Sequence, residues 1–272
     1  MDLIVGSNGF LGRNFKNFFI NSFSLTKEGV FYNNKKVYSN LKECFHNENI
    51  NTIFNCAISY KNNDLEELNN INFLLPKKII DITKNTSTKI IFFGSFFEKE
   101  KRSYMQNYTQ SKIKLSNYLR EVDNNNIYHL NLEHIYGKHD RAYKFIPSVI
   151  SKIKNNIQIR LDSPNNIRDF TPVDHITNFC KFIKENGYKK NFINIGTGVP
   201  QTTLSFVKKL INSHAQNNQK NFSKFEELIE IGSEKIDIIK ESYCKDPFLL
   251  SSYNSDYFKK LETKTLKDLL ND

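Results

Sequence analysis

A chain of 272 residues is long enough to bury the core of one large domain or of two unequal ones. Its formal net charge is +10 at pH 7, but the lysines are scattered along the whole chain, without the clustered stripe that binding along a nucleic-acid backbone requires. We therefore expect no nucleic-acid partner and favour an anionic small molecule, which a positively charged protein attracts.

The four cysteines are widely spaced and include no Cys-x-x-Cys pair, so the sequence predicts neither a disulfide framework nor a metal site. Cys56 and Cys180 lie in apolar surroundings, which favours reduced thiols that pack in a core. No secretion signal precedes the first predicted strand, and no apolar run approaches the ~18 residues of a membrane span. We expect a cytoplasmic protein with no membrane partner.

Apolar, β-rich runs alternate with helical patterns through the first two thirds of the chain. The predicted strands are residues 2–5, 29–33, 51–57, 89–95 and 127–137. The predicted helices are Phe10–Asn21, 64–85 with a break or kink near Pro76, and Tyr108–Val122. Continuous apolar strands separated by helices indicate an α/β fold with a doubly wound parallel sheet that is covered on both faces.

The pattern is less regular from about residue 138 onward. Helices are predicted at 143–153, 203–214 and 265–272, and strands at 157–161, 191–198 and 228–232. These elements indicate a second, smaller α/β lobe that is mostly C-terminal.

Three glycines, Gly6, Gly9 and Gly12, stand between the first predicted strand and the first predicted helix. Glycines there remove side chains, so a diphosphate can approach the helix N-terminus, where unpaired N–H groups and the helix dipole favour negative charge. A tight turn without a ligand is the alternative. The spacing differs from the Gly-x-Gly-x-x-Gly of ordinary dinucleotide-binding dehydrogenases, and a P-loop is excluded because no Gly-Lys-Ser/Thr follows.

Two further signals concern proton transfer. Tyr108 and Lys112 are four residues apart on a predicted helix and so share one face, where an ammonium group would lower the pKa of the phenol. An ordinary exposed pair is the alternative. Ser95 ends an apolar strand, at the edge where open parallel sheets bind ligands, although a lone serine there is also a common helix cap.

Together, the glycines at 6–12, Ser95 and Tyr108-x-x-x-Lys112 resemble the extended short-chain dehydrogenase/reductase family, whose members act on nucleotide sugars. Further segments resemble motifs of that family: NCA at 55–57, Asn72, IYGKHD at 135–140, RDFTPVDH at 168–175 and NIGTG at 194–198. The resemblance extends over nearly the whole chain. It implies a Rossmann-like NAD(P)-binding domain of residues 1–137 and 168–198, and a substrate-binding lobe of residues 138–167 and 199–272.

The resemblance also implies a mechanism. Tyr108 would be the general acid/base on a sugar oxygen, Ser95 would hydrogen-bond the same oxygen, and Lys112 would hold the nicotinamide ribose. Hydride would pass between the nicotinamide and a sugar carbon, most often C4. Such a reaction develops negative charge on the oxygen, which two hydroxyl donors and a nearby cation stabilise.

The site residues that the resemblance implies fall into two groups. The cofactor would contact Gly6, Asn8, Gly9, Phe10, Leu11, Gly12, Asn33, Lys35, Asn40, Leu41, Cys56, Ala57, Asn72, Tyr108 and Lys112. The substrate would contact Phe96, His134 and Arg168. Arg168 would bind the diphosphate, unless it forms only a surface salt bridge. His134 would be either a second acid/base group or a hydrogen-bonded structural histidine.

Departures from the family pattern narrow the activity. Sugar 4,6-dehydratases of this family carry an Asp-Glu pair directly after the serine motif, whereas Phe96 and Phe97 follow Ser95 here. The segment FYNNKKVYS, taken as the end of the second strand, contains no acidic residue, so we expect NADP(H) in preference to NAD(H).

The sequence therefore predicts an NAD(P)H-dependent reductase of a nucleotide-diphosphate 4-keto-6-deoxy sugar, acting in the synthesis of a surface polysaccharide. A nucleotide-sugar epimerase with tightly bound NAD is the second hypothesis, and a non-catalytic NADP-binding protein is the third. The resemblance also implies a homodimer that forms through the helices at about 70–85 and 108–122.

Overall fold

The fold comes from a computed structural model. It describes residues 1–99, 105–217, 225–232, 239–245 and 255–271. The chain forms two compact units: residues 1–132 with 177–193 make up the first, and residues 133–176 with 194–272 make up the second.

A mainly parallel sheet of eight strands organises the first unit. Its strands are β1 (Asp2–Val5), β2 (Ser22–Thr26), β3 (Gly29–Tyr32), β4 (Lys35–Tyr38), β5 (Thr52–Asn55), β6 (Lys89–Ser95), β7 (Ile127–Leu132) and β12 (Phe192–Ile195). They lie in the order β12-β7-β6-β5-β1-β2-β3-β4. Since β1 pairs in parallel with both β2 and β5, the strand order reverses at β1, and open sheets of this kind bind ligands at that point. The predicted doubly wound α/β fold is confirmed.

The second strand of the sheet is not the predicted one. β2 pairs in parallel with β1, whereas residues 29–32 form β3, which runs antiparallel to β2 and turns back into β4. The sequence of β2, SFSLT, alternates polar and apolar residues, so it lacks the continuous apolar run by which the other parallel strands were predicted. The predicted strand at 29–33 is therefore the first arm of a hairpin.

Helices cover the first sheet. They are α1 (Phe10–Phe18), α2 (Leu41–Asn47), α3 (Leu65–Asn69), α4 (Leu75–Thr83) and α5 (Gln106–Glu121). A π-helical turn, Asn70–Leu74, joins α3 to α4 just before Pro76. Proline has no N–H to donate within a helix, and the wider turn before Pro76 accommodates this loss. The helix therefore continues through the position where the sequence predicts a break or kink.

The second unit contains short strands and the remaining described helices. Its strands are β8 (His134–Tyr136), β9 (Ile159–Leu161), β10 (Ile167–Arg168), β11 (Phe170–Pro172), β13 (Gln201–Thr202), β14 (Ile229–Ile231) and β15 (Glu241–Ser242). Its helices are α6 (Phe145–Lys154), α7 (Val173–Asn186), which enters the first unit at Thr177, α8 (Thr203–Asn217) and α9 (Ser255–Asn271). Helix α7 is missing from the sequence-based prediction, and α9 begins ten residues before its predicted start.

The boundary between the units falls at residue 132, whereas the sequence places it after residue 137. The predicted strand 127–137 is in fact two strands, because the chain leaves the large sheet at Glu133 and β8 pairs with β11 instead. As a result, segments 168–176 and 194–198 also lie in the second unit.

Burial determines the reactivity of the cysteine thiols. All four cysteines are buried and carry reduced thiols. Burial raises the pKa of the Cys56 and Cys180 thiols, so both stay protonated and unreactive at neutral pH.

In the parts of the chain that the structure describes, no helix combines the length and the apolar character that crossing a bilayer demands.

Aromatic packing fixes α1 on the sheet. The ring of Phe15 is fully buried, and its centroid lies 5.2 Å from that of Phe54 in β5 and 5.3 Å from that of Phe93 in β6. Phe18, one turn further along, is exposed. The position of the α1 N-terminus therefore depends on Phe15 rather than on Phe18.

Phe15→Ala is expected to lower the free energy of unfolding by about 3–5 kcal/mol, because it leaves a cavity under α1. Urea denaturation followed by circular dichroism measures the loss. Phe18→Ala is the matched control, with an expected cost below about 1 kcal/mol. Equal losses for the two variants would show that Phe15 does not anchor the helix.

Candidate active site

The turn between β1 and α1 brings backbone segments together so closely that side chains are excluded. Gly6 has a φ of +75°, and a Cβ added there would lie 2.5 Å from the Cα of Ala57. A Cβ added at Gly12 would lie 2.2 Å from the carbonyl oxygen of Gly6. Packing within the protein therefore requires glycine at both positions.

Gly9 is different, because protein packing does not explain it. Its backbone is extended, and a Cβ added there would meet, among the described residues, only the Gly6 carbonyl oxygen at 3.4 Å. Gly9 is also the N-cap of α1 and has no side chain with which to cap the first N–H groups of the helix. Open space beside uncapped N–H groups fits the diphosphate of a dinucleotide.

The other predicted residues of this turn occupy the same place. Asn8 precedes the N-cap and is exposed, and its carbonyl oxygen accepts a hydrogen bond from Arg13. Phe10 and Leu11 form the first turn of α1 and are partly buried. Their N–H groups belong to the same uncapped helix end.

The end of β5 lies against this turn. The N–H of Cys56 donates to the carbonyl of Val5 at 2.9 Å, and Ala57 packs against Gly6. Both residues thus lie at the carboxyl edge of the sheet, beside the glycines, as the sequence predicts. Cys56 is buried, and Ala57 is partly exposed.

Asn72 is buried in the π-helical turn and links two segments of the site. Its Oδ1 accepts from the N–H of Ser59 at 2.8 Å, and its Nδ2 donates to the hydroxyl of Ser111 at 2.9 Å. That hydroxyl in turn donates to the carbonyl of Tyr108. Asn72 therefore ties the loop after β5 to the start of α5.

Ser95, Tyr108 and Lys112 are all buried and lie together at the carboxyl end of β6. The phenol hydroxyl of Tyr108 is hydrogen-bonded to Ser95 and to Tyr60, whose ring stacks on that of Tyr108 at 5.1 Å. The Nζ of Lys112 donates to the carbonyl of Phe93 in β6. A reacting oxygen placed beside Ser95 and Tyr108 would meet two hydroxyl donors.

The expected lowering of the tyrosine pKa is wrong for the protein alone. Burial, followed by the neighbouring Tyr60, raises the pKa of Tyr108 well above its ordinary value. Lys112 is itself desolvated, which lowers the pKa of its ammonium group. The protein environment therefore holds Tyr108 in its neutral hydroxyl form, which suits a proton donor.

Sequence reasoning missed Asn62 and a buried acid. The side chain of Asn62 accepts a hydrogen bond from the N–H of Tyr108 at 3.0 Å, so it caps the start of α5. Glu98 lies three residues after Ser95, and its carboxylate contacts His129 and the N–H of Ser95. A carboxylate three residues after the serine is the one signal in the sequence that points to this contact.

Asn33 and Lys35 do not lie beside the glycines. They flank the turn between β3 and β4, which is at the amino end of β2, because β3 runs antiparallel to β2. The segment from which the sequence predicts NADP(H) is therefore not the end of the second parallel strand. The second parallel strand, β2, ends at Thr26, and an acidic residue, Glu28, follows it two positions later.

Asn40 and Leu41 begin α2 and have roles within the protein. The side chain of Asn40 caps the helix by accepting from the N–H of Glu43 at 3.1 Å. Leu41 is buried in the core of the first unit. Both follow β4, whose end lies at the same edge of the sheet as the end of β2.

The predicted substrate contacts fall in both units. Phe96, in the first unit, is partly buried and stacks on Phe97 with ring centroids 4.2 Å apart. His134 and Arg168 belong to the second unit. Burial, with the charges of Arg168 and Lys144, lowers the pKa of His134 to about 3, so this histidine is neutral at physiological pH.

Arg168 holds backbone in the second unit. Its guanidinium donates to the carbonyl oxygens of Ile167, Ile239 and Lys240. These bonds hold β10 against the segment that precedes β15. Strands β10 and β15 also pair in parallel. This role differs from the surface salt bridge that the sequence left open.

Gly12→Ala is expected to unfold the β1–α1 turn, because the new Cβ would clash with the Gly6 carbonyl. Gly9→Ala is expected to leave the melting temperature within about 2 °C but to weaken NAD(P)H binding about tenfold. Nucleotide fluorescence titration measures that affinity. Unchanged affinity of Gly9→Ala would show that the open space at Gly9 does not receive the diphosphate.

Comparisons with known proteins show what the chain is similar to. The chain is 32% identical to the CDP-abequose synthase of Salmonella muenchen over 191 residues, which cover 65% of each protein. The match thus spans slightly less than two thirds of the length of that relative.

Solved structures support the fold. The UDP-N-acetylglucosamine 4-epimerase from Methanobrevibacter ruminantium M1, in complex with UDP-N-acetylmuramic acid, superposes with a TM-score of 0.71 at 18% identity, covering 100% of this chain and 98% of that one. RMD from Pseudomonas aeruginosa, complexed with NADPH, gives 0.66 at 13% identity over 99% and 96%. The model of the NAD dependent epimerase/dehydratase family matches residues 3–196. The chain therefore belongs to the NAD-dependent epimerase/dehydratase family.

Proposed function

We propose that this protein reduces the 4-keto group of a nucleotide-diphosphate 6-deoxy sugar at the expense of NAD(P)H, in the synthesis of a surface polysaccharide. The observation that carries the proposal is the buried Tyr108 hydroxyl, hydrogen-bonded to Ser95 at the carboxyl edge of the sheet. The relative named CDP-abequose synthase supports a nucleotide sugar as substrate.

The protein's own groups are suited to reduction of a ketone. A carbonyl that gains hydride becomes an alkoxide, and the hydroxyls of Ser95 and Tyr108 stabilise the developing charge by hydrogen bonds. Tyr108 then donates its proton, which the surrounding protein keeps on the phenol until that step. The nicotinamide cofactor, when bound, supplies the hydride.

The residues present also fit a dinucleotide. The uncapped N-terminus of α1 and the open space at Gly9 suit the diphosphate. Cys56 and Ala57 would line the path between the two halves of the cofactor. Lys112, four residues from Tyr108, would hold the nicotinamide ribose in place of the Phe93 carbonyl that it contacts here.

The choice of cofactor depends on the turn after β2. The carboxylate of Glu28 accepts from the hydroxyl of Thr26, and this bond, together with the charges of Lys27 and Lys36, lowers the pKa of Glu28. One carboxylate beside two ammonium groups leaves this turn with a net positive charge, which suits a ribose phosphate. We propose NADP(H), with NAD(H) as the alternative.

Lys27→Ala is expected to weaken NADPH binding about tenfold and NADH binding less than twofold, because the ammonium group would pair with the 2′-phosphate. Fluorescence titration with each nucleotide measures both affinities. Lys35→Ala is the control, since Lys35 lies at the opposite edge of the sheet. If Lys27→Ala weakens both nucleotides equally, this lysine does not select the cofactor.

The reaction is tested by following NADPH absorbance with 4-keto-6-deoxy sugars linked to CDP, dTDP and GDP, beginning with CDP. We expect stoichiometric NADPH consumption with one of them. No consumption with any sugar, together with NAD released from the denatured protein, would contradict the reductase and favour a nucleotide-sugar epimerase.

Tyr108→Phe is expected to reduce kcat about 10²–10⁴-fold, with little change in NADPH affinity, because only the proton donor is lost. Tyr118→Phe makes the same substitution on the same helix, away from Ser95, and should retain full activity. A Tyr108→Phe enzyme as active as the wild type would rule out Tyr108 as the donor.

A further inference from the structure

Glu98 lies on a short 3₁₀ turn, Phe96–Lys99, that directly follows Ser95. Its Oε1 accepts a hydrogen bond from the N–H of Ser95 at 3.0 Å. Its Oε2 lies 2.9 Å from the Nε2 of His129 in β7. The side chains of Glu98 and His129 are only 5% and 1% exposed, so the pair is enclosed by protein.

Gly94 makes this convergence possible. It lies within β6, so its backbone is extended and any residue could adopt it. A Cβ there, however, would lie 2.7 Å from the Oε1 of Glu98, 2.6 Å from the Nε2 of His129 and 2.2 Å from the Oδ1 of Asn131. The crowding shows that the carboxylate and the imidazole are packed against the strand that carries Ser95.

The charge of Glu98 acts on the proton-transfer groups. Burial lowers the pKa of the Lys112 ammonium, and the Glu98 carboxylate opposes that effect. Glu98 also raises the pKa of Tyr108, after burial and Tyr60, while the hydrogen bond from Ser95 acts in the opposite direction. Burial raises the pKa of Glu98, but the hydrogen bond with His129, the charge of Lys112 and the N–H of Ser95 outweigh it, so the pKa lies below the ordinary value and the group is ionised.

We propose that Glu98, held by His129, is a positioning residue: it fixes the backbone of Ser95 and supplies a buried negative charge that favours the ammonium form of Lys112. The role rests on the proposed function of Ser95, Tyr108 and Lys112. The Phe93 carbonyl accepts a hydrogen bond from the Lys112 ammonium, and the Glu98 carboxylate is the negative charge that opposes the effect of burial on the pKa of Lys112.

The same charge adds to burial and Tyr60 in keeping Tyr108 protonated. Reduction of a ketone begins with Tyr108 protonated, whereas oxidation of an alcohol, the first step of a 4-epimerase, begins with a phenolate. A carboxylate near the phenol disfavours the phenolate. The Glu98–His129 pair therefore favours a net reductase.

Glu98→Gln tests the charge, because the amide has the same shape, its oxygen still accepts from the N–H of Ser95, and its NH2 can donate to Nε2 of His129 in the other tautomer. The readout is the titration of Lys112 by NMR of lysine labelled with ¹³C at Cε, assigned with Lys112→Met, and it needs neither substrate nor cofactor. We expect the midpoint of Lys112 in Glu98→Gln to fall by about one pH unit relative to the wild type. An unchanged midpoint would overturn the proposal.

Gly94→Ala tests the same effect of the carboxylate on Lys112 without removing its charge. This variant keeps the proposal testable if Glu98→Gln does not fold. Its Cβ would push the carboxylate away while leaving the charge in the protein, so the midpoint of Lys112 should fall again. Asp2→Asn is the matched control. It removes a buried carboxylate that pairs with Lys184 at the amino end of β1, away from the glycine turn. It should leave the Lys112 midpoint unchanged even if it lowers the melting temperature.

The titration and the reductase assay separate the two claims. If the wild type reduces no 4-keto sugar while the Lys112 midpoint still falls in Glu98→Gln, the proposed function fails and the electrostatic role of Glu98 stands. Where reduction is measured, Glu98→Gln should lose kcat at lower pH than the wild type, with the KM for NADPH changed less than about twofold, since both Lys112 and Tyr108 lose protons earlier. An identical pH profile would overturn the role in catalysis.

Discussion

The contact of Gly6 with Ala57 and of Gly12 with Gly6 is the constraint on which the site depends. No side chain fits at either glycine, so the β1–α1 turn packs directly on the end of β5 and on itself. This contact, with Phe15 packed beneath α1, fixes the uncapped helix N-terminus at the point where the strand order reverses. Of the three glycines, only Gly9 has open space beside it, and that space suits the diphosphate of the proposed cofactor.

The second feature of the site is a set of charges that the protein encloses. Burial disfavours the ammonium of Lys112 and the phenolate of Tyr108, so the protein alone starts with a protonated tyrosine. Glu98, which contacts His129 and accepts from the N–H of Ser95, opposes the effect of burial on the pKa of Lys112. The environment thus supports one half of an acid/base cycle, the donation of a proton, and a reductase needs that half in each turnover.

Local patterns predicted much of this arrangement. Gly6, Gly9 and Gly12 follow a strand directly, and Tyr108 and Lys112 share a helix face through their spacing, so short-range rules were sufficient. The prediction that placed Asn33 and Lys35 beside the glycines is wrong, because the hairpin of β3 and β4 reverses the direction of the chain. Composition does not reveal such a reversal. Glu98 and His129 are 31 residues apart, and only the parallel pairing of β6 with β7 brings them together. The sequence predicts a lowered pKa for Tyr108 from the neighbouring ammonium group. The pKa is raised instead, because burial has the largest effect.

In the proposed reaction, hydride passes to C4 of a sugar while Tyr108 supplies the proton. The most direct measurement uses NADPH with deuterium in place of both hydrogens at C4 of the nicotinamide and follows the label into the product, with a CDP-linked 4-keto-6-deoxy sugar as substrate and NMR as the readout. We expect one deuterium at C4 of the sugar for each NADPH consumed. A product without deuterium at C4, or an isomerised sugar formed with no net NADPH oxidation, would contradict it.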